Sequence, residues 1–95
     1  MYKIRYNKYS QKEYDDLDGS QKVFINKALE RIETLGMKAG EGLKGNLAGC
    51  NKLKNKRMGL RIIFREISGE IEIIEIVAIG KRDKSEVYKL SAQRI

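Results

Sequence analysis

The spacing of apolar and polar positions changes period several times along the chain, and each change predicts an element. Tyr2-Lys3-Ile4-Arg5-Tyr6 alternates with period two, which suits a half-buried strand with Tyr2, Ile4 and Tyr6 on one face. Ser10 followed by Glu13 has the spacing of a capping box, and Tyr14 and Leu17 sit three apart. A short helix is therefore predicted from Ser10 to about Asp16, ending near Asp18-Gly19. Ser20 is placed to cap a longer helix in which Val23, Phe24, Ala28, Leu29, Ile32 and Leu35 recur at helical spacing, with Gly36 positioned to end it. The two helices read as a hairpin. Five glycines (Gly36, Gly40, Gly42, Gly45 and Gly49) then interrupt any period, marking a loop too short to separate domains.

Three strand-like runs follow, roughly Asn51 to Arg57, Leu60 to Ile67 and Glu70 to Ile79, with Ser68-Gly69 a two-residue hairpin signal. They predict an antiparallel meander. Asp83 and Glu86 give a start signal for a last short helix through Val87, Leu90 and Arg94. The expected fold is α+β: one domain over residues 1–95, with a small antiparallel, mixed-order sheet of about four strands. That sheet packs against the N-terminal helical hairpin and is followed by a short C-terminal helix.

Composition narrows the chemistry. A chain of 95 residues buries roughly two-thirds of its unfolded surface, enough for one modest core and no enclosed channel. There is no histidine and a single cysteine, Cys50, which excludes the usual zinc ligand sets, Ser-His-Asp and Cys-His catalysis and any internal disulfide. No metal and no cofactor is expected. The longest apolar runs, Ile73-Ile74 and Ile76 to Ile79, fall far short of a bilayer span, and Met1-Tyr2-Lys3-Ile4-Arg5 has no signal-peptide core. The expectation is a soluble, cytoplasmic protein with no membrane partner.

The charge is concentrated. Net charge is +7, and between Leu43 and Arg65 there are seven cations (Lys44, Lys52, Lys54, Lys56, Arg57, Arg61 and Arg65) and no Asp or Glu, so that this segment accounts for the whole excess. Such a field suits a polyanion, with nucleic acid the leading partner and an acidic protein, or plain solvation, the alternatives. Period-two alternation puts Lys52, Lys54 and Lys56 on one strand face with Leu53 opposed. On the next strand Arg61, Ile63 and Arg65 share a face, so a paired hairpin would present an open cationic surface. Lys81, Arg82 and Lys84 add cations at the sheet edge, and Tyr88 lies about one helical turn beyond Lys84.

RNA cleavage without metal or histidine needs three things: a 2′-hydroxyl must lose a proton, a phosphorane must be stabilised, and the departing 5′-oxygen must gain a proton. Lysine and arginine can supply all three. A lysine crowded by like charges gives up its proton more readily, and Lys52 and Lys54 qualify by position. Arginine offers a planar fork to phosphate oxygens where charge develops, a role open to Arg61. Tyr88 can stack on a base and hold a nucleotide for in-line attack. The same residues also describe a noncatalytic nucleic-acid binder, with Arg61 a surface ion-pair partner and Tyr88 an aromatic at the core edge. Cys50 reads as a small buried hydrophobe at a strand start.

These residues resemble a known family. Leu43-Lys44-Gly45 precedes the basic run Cys50-Asn51-Lys52-Leu53-Lys54, then come Gly59-Leu60-Arg61-Ile62-Ile63-Phe64 and Gly80-Lys81-Arg82-Asp83-Lys84-Ser85-Glu86-Val87-Tyr88. The set is similar to the RelE/ParE superfamily of type II toxins and, within it, to the RelE-type ribosome-dependent mRNA endoribonucleases. The resemblance implies metal-independent cleavage of mRNA in the ribosomal A site by 2′-hydroxyl attack, contacts with 16S ribosomal RNA, and inhibition by a cognate RelB-like antitoxin. By motif, Lys52 and Lys54 match the lysines of proton transfer and backbone binding, and Arg61 the transition-state arginine. Arg82 matches the general-acid arginine and Tyr88 the stacking tyrosine. Lys44, Lys56, Arg57, Arg65, Lys81 and Lys84 remain as RNA-binding candidates. Leu60 stands where the RelE pattern usually has tyrosine, and Lys84 where it often has arginine, keeping charge without the fork. A ParE-like inhibitor of DNA gyrase with the same fold, or a noncatalytic ribosome binder, are the competing readings.

Overall fold

A computed structural model describes residues 1–95 apart from Ser68 and Ile71, and apart from the side chain of Lys84. Its elements are β1 (Lys3–Tyr6), α1 (Lys8–Asp15), α2 (Gly19–Leu35), β2 (Glu41–Gly42), β3 (Cys50–Asn55), β4 (Leu60–Glu66), β5 (Ile73–Lys81) and α3 (Glu86–Arg94), with short 3-10 turns at Gly36–Lys38, Gly45–Leu47 and Asp83–Ser85. The sheet order is β1-β5-β4-β3-β2. β1 runs parallel to β5 and every other pair is antiparallel. The α+β class and the element order are as the periodicity predicts. The sheet has five strands rather than about four, because the glycine loop contributes β2, a two-residue strand too short to carry an alternation. The predicted Ser68-Gly69 turn includes Ser68 and so lies outside the described residues.

The starts of α1 and α2 differ from the predicted ones by a few residues, for one physical reason: the cap is the residue whose backbone is extended just before the first turn. Asn7, not Ser10, caps α1; its side chain accepts from the Tyr9 and Ser10 amides, and Ser10 is the reciprocal partner at the third helical position. Asp18, not Ser20, caps α2, while the Ser20 hydroxyl donates to the Asp18 carboxylate. The last helix begins at Glu86, after a 3-10 turn that occupies the predicted start at Asp83. Gly36 does end α2, at φ +59.

The Asp18 cap carries a pH signature. The Gln21 amide, and after it the Ser20 hydroxyl, hold the Asp18 carboxyl below its ordinary value of 3.8. The folded chain thus binds this proton less readily than the unfolded chain, so the stabilisation is complete above the ordinary value and is lost as pH falls through the lower folded one. Asp18→Asn keeps a capping oxygen but cannot titrate, and its melting temperature should therefore fall less than that of the wild type between pH 5 and pH 2. Parallel thermal melts across that range check this; identical slopes would remove Asp18 from the acid sensitivity.

Both faces of the sheet are covered. On one, Ile25, Ala28, Leu29 and Ile32 of α2 pack against Leu60, Ile62 and Phe64 of β4 and Ile74, Ile76 and Ile79 of β5; burial of each Ile, Leu or Phe side chain contributes about 1.5–3 kcal/mol. On the other, Cys50, Ile63, Val77, Ala78 and Val87 form a smaller core under α3, with Leu43 and Tyr88 at its margin. A bulge makes this second core possible. The β4–β5 register shifts at Ile63/Phe64, so that Ala78 faces Ile63 while Ile76 faces Phe64, and the consecutive Val77 and Ala78 both join the α3 side. Gly80 completes the seat: a Cβ there would meet Val87 at 3.4 Å, so the helix rests on bare backbone.

Beyond Ile76, β5 has no β1 partner, and side chains satisfy that edge instead. Asn7 donates to the Val77 carbonyl (3.1 Å), Glu13 accepts from the Ile79 amide (3.1 Å) and Arg94 donates to the Val77 carbonyl (3.0 Å). No helix is long and apolar enough to cross a membrane among the described residues.

Candidate active site

Alternation on β3 and β4 brings the predicted cations together where the two strands pair. Lys54 is directly opposite Arg61, and Lys52 is opposite Ile63. Like charges facing one another across a ladder cost stability, and three contacts offset that cost. The Lys54 ammonium lies 3.7 Å from the Glu41 carboxylate of β2. The Arg61 guanidinium donates from Nε to the Tyr88 hydroxyl at 3.2 Å and from Nη1 to the Leu60 carbonyl at 3.2 Å. Lys52 Nζ sits 5.7 Å from the centre of the Tyr88 ring. Lys52, Arg61 and Tyr88 therefore form one contact group, assembled from β3, β4 and α3, with Lys54 beside it.

The predicted open cationic surface is not what forms. α3 packs over this face, and Arg61 is only 4% exposed. The reason is that Ile63, Cys50 and Val77 share the face with the cations and require an apolar cover. Arg61 is accordingly a pinned, buried donor whose fork is held by Tyr88 and the Leu60 carbonyl, with no ion-pair partner among the described residues. Pre-set donors of this kind need no rearrangement to meet charge that develops nearby.

The other predicted residues divide by position. β3 stops at Asn55, so Lys56 and Arg57 do not continue the lysine row; they are exposed in the β3–β4 turn. That turn is joined to Arg82, whose amide donates to the Gly59 carbonyl at 2.9 Å, so exposed Arg82 stands at the same end of the sheet as Lys54 and Arg61. Arg65 is drawn away. It lies four residues along β4, about 13 Å from Arg61, and its Nε donates to Glu75 at 2.8 Å in a cross-strand ion pair. Lys44 is exposed at that far end too, next to Leu43, which bonds to Cys50. Lys81 is one residue past Gly80, opposite Leu60, and close enough to Asp18 to favour its carboxylate form. The Lys84 side chain is outside the described residues. Cys50 is buried as expected, and burial pushes its thiol pKa up, with Arg65 pulling it down and Glu75 raising it, so it is no nucleophile at neutral pH. Among the described residues no three His, Cys, Asp or Glu side chains are grouped to share a metal ion.

No protein-family model matches the chain. A RelE-like toxin protein of Escherichia coli is 30% identical to it over 95 residues, 99% of this chain and 97% of the relative. The chain belongs to the RelE toxin family. The mRNA interferase toxin RelE of E. coli K12 is 27% identical over the same coverage. Among solved structures, a free E. coli RelE with two arginines replaced by alanine superposes with a TM-score of 0.82, at 23% identity, covering 99% of this chain and 97% of that one. The same RelE variant bound to a peptide of the antitoxin RelB gives 0.72 at 25% identity, covering 99% and 97%.

In this RelE-family chain, sequence reading missed three contributors. Glu41 lies two residues before the acid-free segment begins, and only the pairing of β2 with β3 carries it to Lys54. Glu13 and Arg94 meet across nearly the whole chain, with bonds of 2.8 and 3.0 Å. Their one advance signal is weak: each occupies a polar position on a short helix, and the Ser10–Glu13 spacing points Glu13 to a capping role that the structure gives to Asn7 and Ser10.

Proposed function

We propose that this chain is the toxin of a type II toxin-antitoxin pair, with residues 1–95 acting as one domain, and that it cleaves mRNA in the ribosomal A site by attack of the 2′-hydroxyl on the adjacent phosphate. The observation that carries this is the convergence of Lys52, Lys54, Arg61 and Tyr88 on one sheet face, with Arg82 at the same end. In this reading Tyr88 stacks on a nucleotide and Lys52 or Lys54 accepts the 2′-hydroxyl proton. Arg61 steadies the phosphorane and Arg82 donates to the departing 5′-oxygen, leaving a 2′,3′-cyclic phosphate. All proton and charge transfers are assigned to side chains, so no metal is called for. A sheet face partly roofed by α3 binds RNA backbone at its margin without gripping a flexible strand in line, which makes the ribosome the natural source of alignment. Such a protein works in the cytoplasm, beside 16S ribosomal RNA, and is held in check by a RelB-like antitoxin, as the relatives named for RelB complexes suggest.

Primer extension on a defined mRNA in a reconstituted translation system, with and without ribosomes, tests this. Cuts within the A-site codon only when ribosomes are present are expected, and Arg82→Ala should slow them about 100-fold or more while leaving the fold intact, since Arg82 is exposed. Efficient cutting of free, unstructured RNA would remove the ribosome from the mechanism. No cutting, together with a block of gyrase supercoiling, would favour the ParE-like activity. Salt-dependent weakening of ribosome binding as the sole effect of Arg82→Ala would mark a noncatalytic binder.

A further inference from the structure

We infer that Glu13 and Arg94 are positioning residues for the cleavage site: their ion pair fixes the seat of α3 and so holds the Tyr88 ring against Lys52 and Arg61. The inference rests on the cleavage reading above. Arg94 is the last residue of α3, and its two terminal nitrogens donate to the two Glu13 oxygens at 2.8 and 3.0 Å. The same guanidinium donates to the Val77 carbonyl at 3.0 Å and lies 4.9 Å from the centre of the Tyr9 ring. Glu13 in turn accepts from the Ile79 amide at 3.1 Å. One carboxylate thus ties together α1, β5 and α3. The pair is largely shielded, with side-chain exposures of 11% and 23%.

An apolar contact can fasten a helix to a sheet with less desolvation cost than a shielded ion pair. What the forked pair adds is direction, because two parallel bonds plus one to a strand carbonyl fix the helix along its axis as well as above the sheet. At the other end of α3, Val87 rests on Gly80, which has no side chain to restrain sliding or tilt. Tyr88 is the next residue, about 9 Å along the helix axis from Arg94. The restraint at Arg94 therefore governs the angle at which Tyr88 meets Arg61 Nε and Lys52. Neither Glu13 nor Arg94 contacts the cationic cluster itself, so both act through the helix. A small displacement of a group that orients a reacting strand is costly, on the order of 100-fold for 1 Å.

The test uses the full chain and two readouts. Proton contacts between the Tyr88 ring and the Lys52 side chain are followed by NMR in the wild type, Glu13→Gln and Arg94→Ala. A-site cleavage is measured in the same proteins and in Tyr88→Ala backgrounds. Glu13→Gln keeps the shape and an acceptor for Ile79, so it remains informative should Arg94→Ala fail to fold. The expected result is weakened Tyr88–Lys52 contacts, a fall in kcat of about tenfold with KM little changed, and no further loss when either change is added to Tyr88→Ala. Unchanged contacts in folded variants, or equal losses with and without Tyr88, would overturn the inference and leave the pair purely structural. An inactive wild type would count against the cleavage reading alone, since the NMR contacts decide the positioning role by themselves.

Discussion

Arg61→Ala is expected to reduce A-site cleavage by about 100- to 1,000-fold, the usual loss on removing one pre-set donor from developing negative charge. Arg61 is the buried member of the cationic group, 4% exposed, with Nε on the Tyr88 hydroxyl and Nη1 on the Leu60 carbonyl. Two of its donors are thus spent on fixing its plane. Arg61→Lys should rescue little: an ammonium keeps the charge but can neither hold Tyr88 from the same position nor present a fork. Tyr88→Phe should lose less than Tyr88→Ala, because the stacking ring survives and only the acceptor for Arg61 goes. Single-turnover cleavage on programmed ribosomes, with thermal melts to verify folding, makes the measurement. Retention of near wild-type cleavage by folded Arg61→Ala would show that its role is to hold α3 on the sheet rather than to stabilise a transition state.

The largest effect on stability is expected at Gly40, where substitution by alanine should cost about 2–4 kcal/mol, lowering the melting temperature by roughly 10 °C or more. Gly40 has φ +73, a region L side chains rarely adopt. A Cβ there would run into the carbonyl oxygen of Lys52, which is backbone and cannot swing aside. Relief would require β2 to lift from β3, and this would take Glu41 away from Lys54 and disturb the strand that presents Lys52. Gly42 provides the control. It lies two residues on, inside β2, with no positive φ, and its nearest neighbour would be 3.8 Å away, so Gly42→Ala should stay within about 1 kcal/mol of the wild type. Chemical denaturation of both variants checks the pair; similar losses would mean that the tight Gly40 approach is not what anchors β2.

Much of this architecture is legible before folding because it depends on neighbours in sequence. The 3.6-residue stripe from Val23 to Leu35 needs only its own spacing to mark α2, and it packs on the sheet through Ala28, Leu29 and Ile32, although Val23 and Leu35 at its ends are exposed and Ile25, outside the stripe, is fully buried. Alternation through Cys50–Asn55 and Leu60–Glu66 puts Lys52, Lys54 and Arg61 on one face and Leu53, Leu60, Ile62 and Phe64 on the other, as the register confirms. Departures fall where local signals compete. Ser10 and Ser20 are good caps by type, yet Asn7 and Asp18 are also good caps and stand where the chain is extended before turning. β2 is invisible because two residues have no period, and its pairing depends on the close approach of Gly40.

Sequence alone determined the α+β order, the faces of the central strands and the location of the excess charge, since each follows from residue type and short-range periodicity. Tertiary structure decided which cations act together. Arg65 is quenched by Glu75, Lys54 is met by Glu41, and Arg61 is roofed by α3 and bonded to Tyr88, 27 residues away in the chain. The Glu13–Arg94 tie spans 81 residues. Contacts of that separation depend on how helices and strands settle against each other, which in turn is governed by the bulge at Val77-Ala78 and the bare backbone of Gly80. Periodicity assigns a side chain to a face; what covers that face, and at what angle, is set by packing between elements that no local pattern encodes.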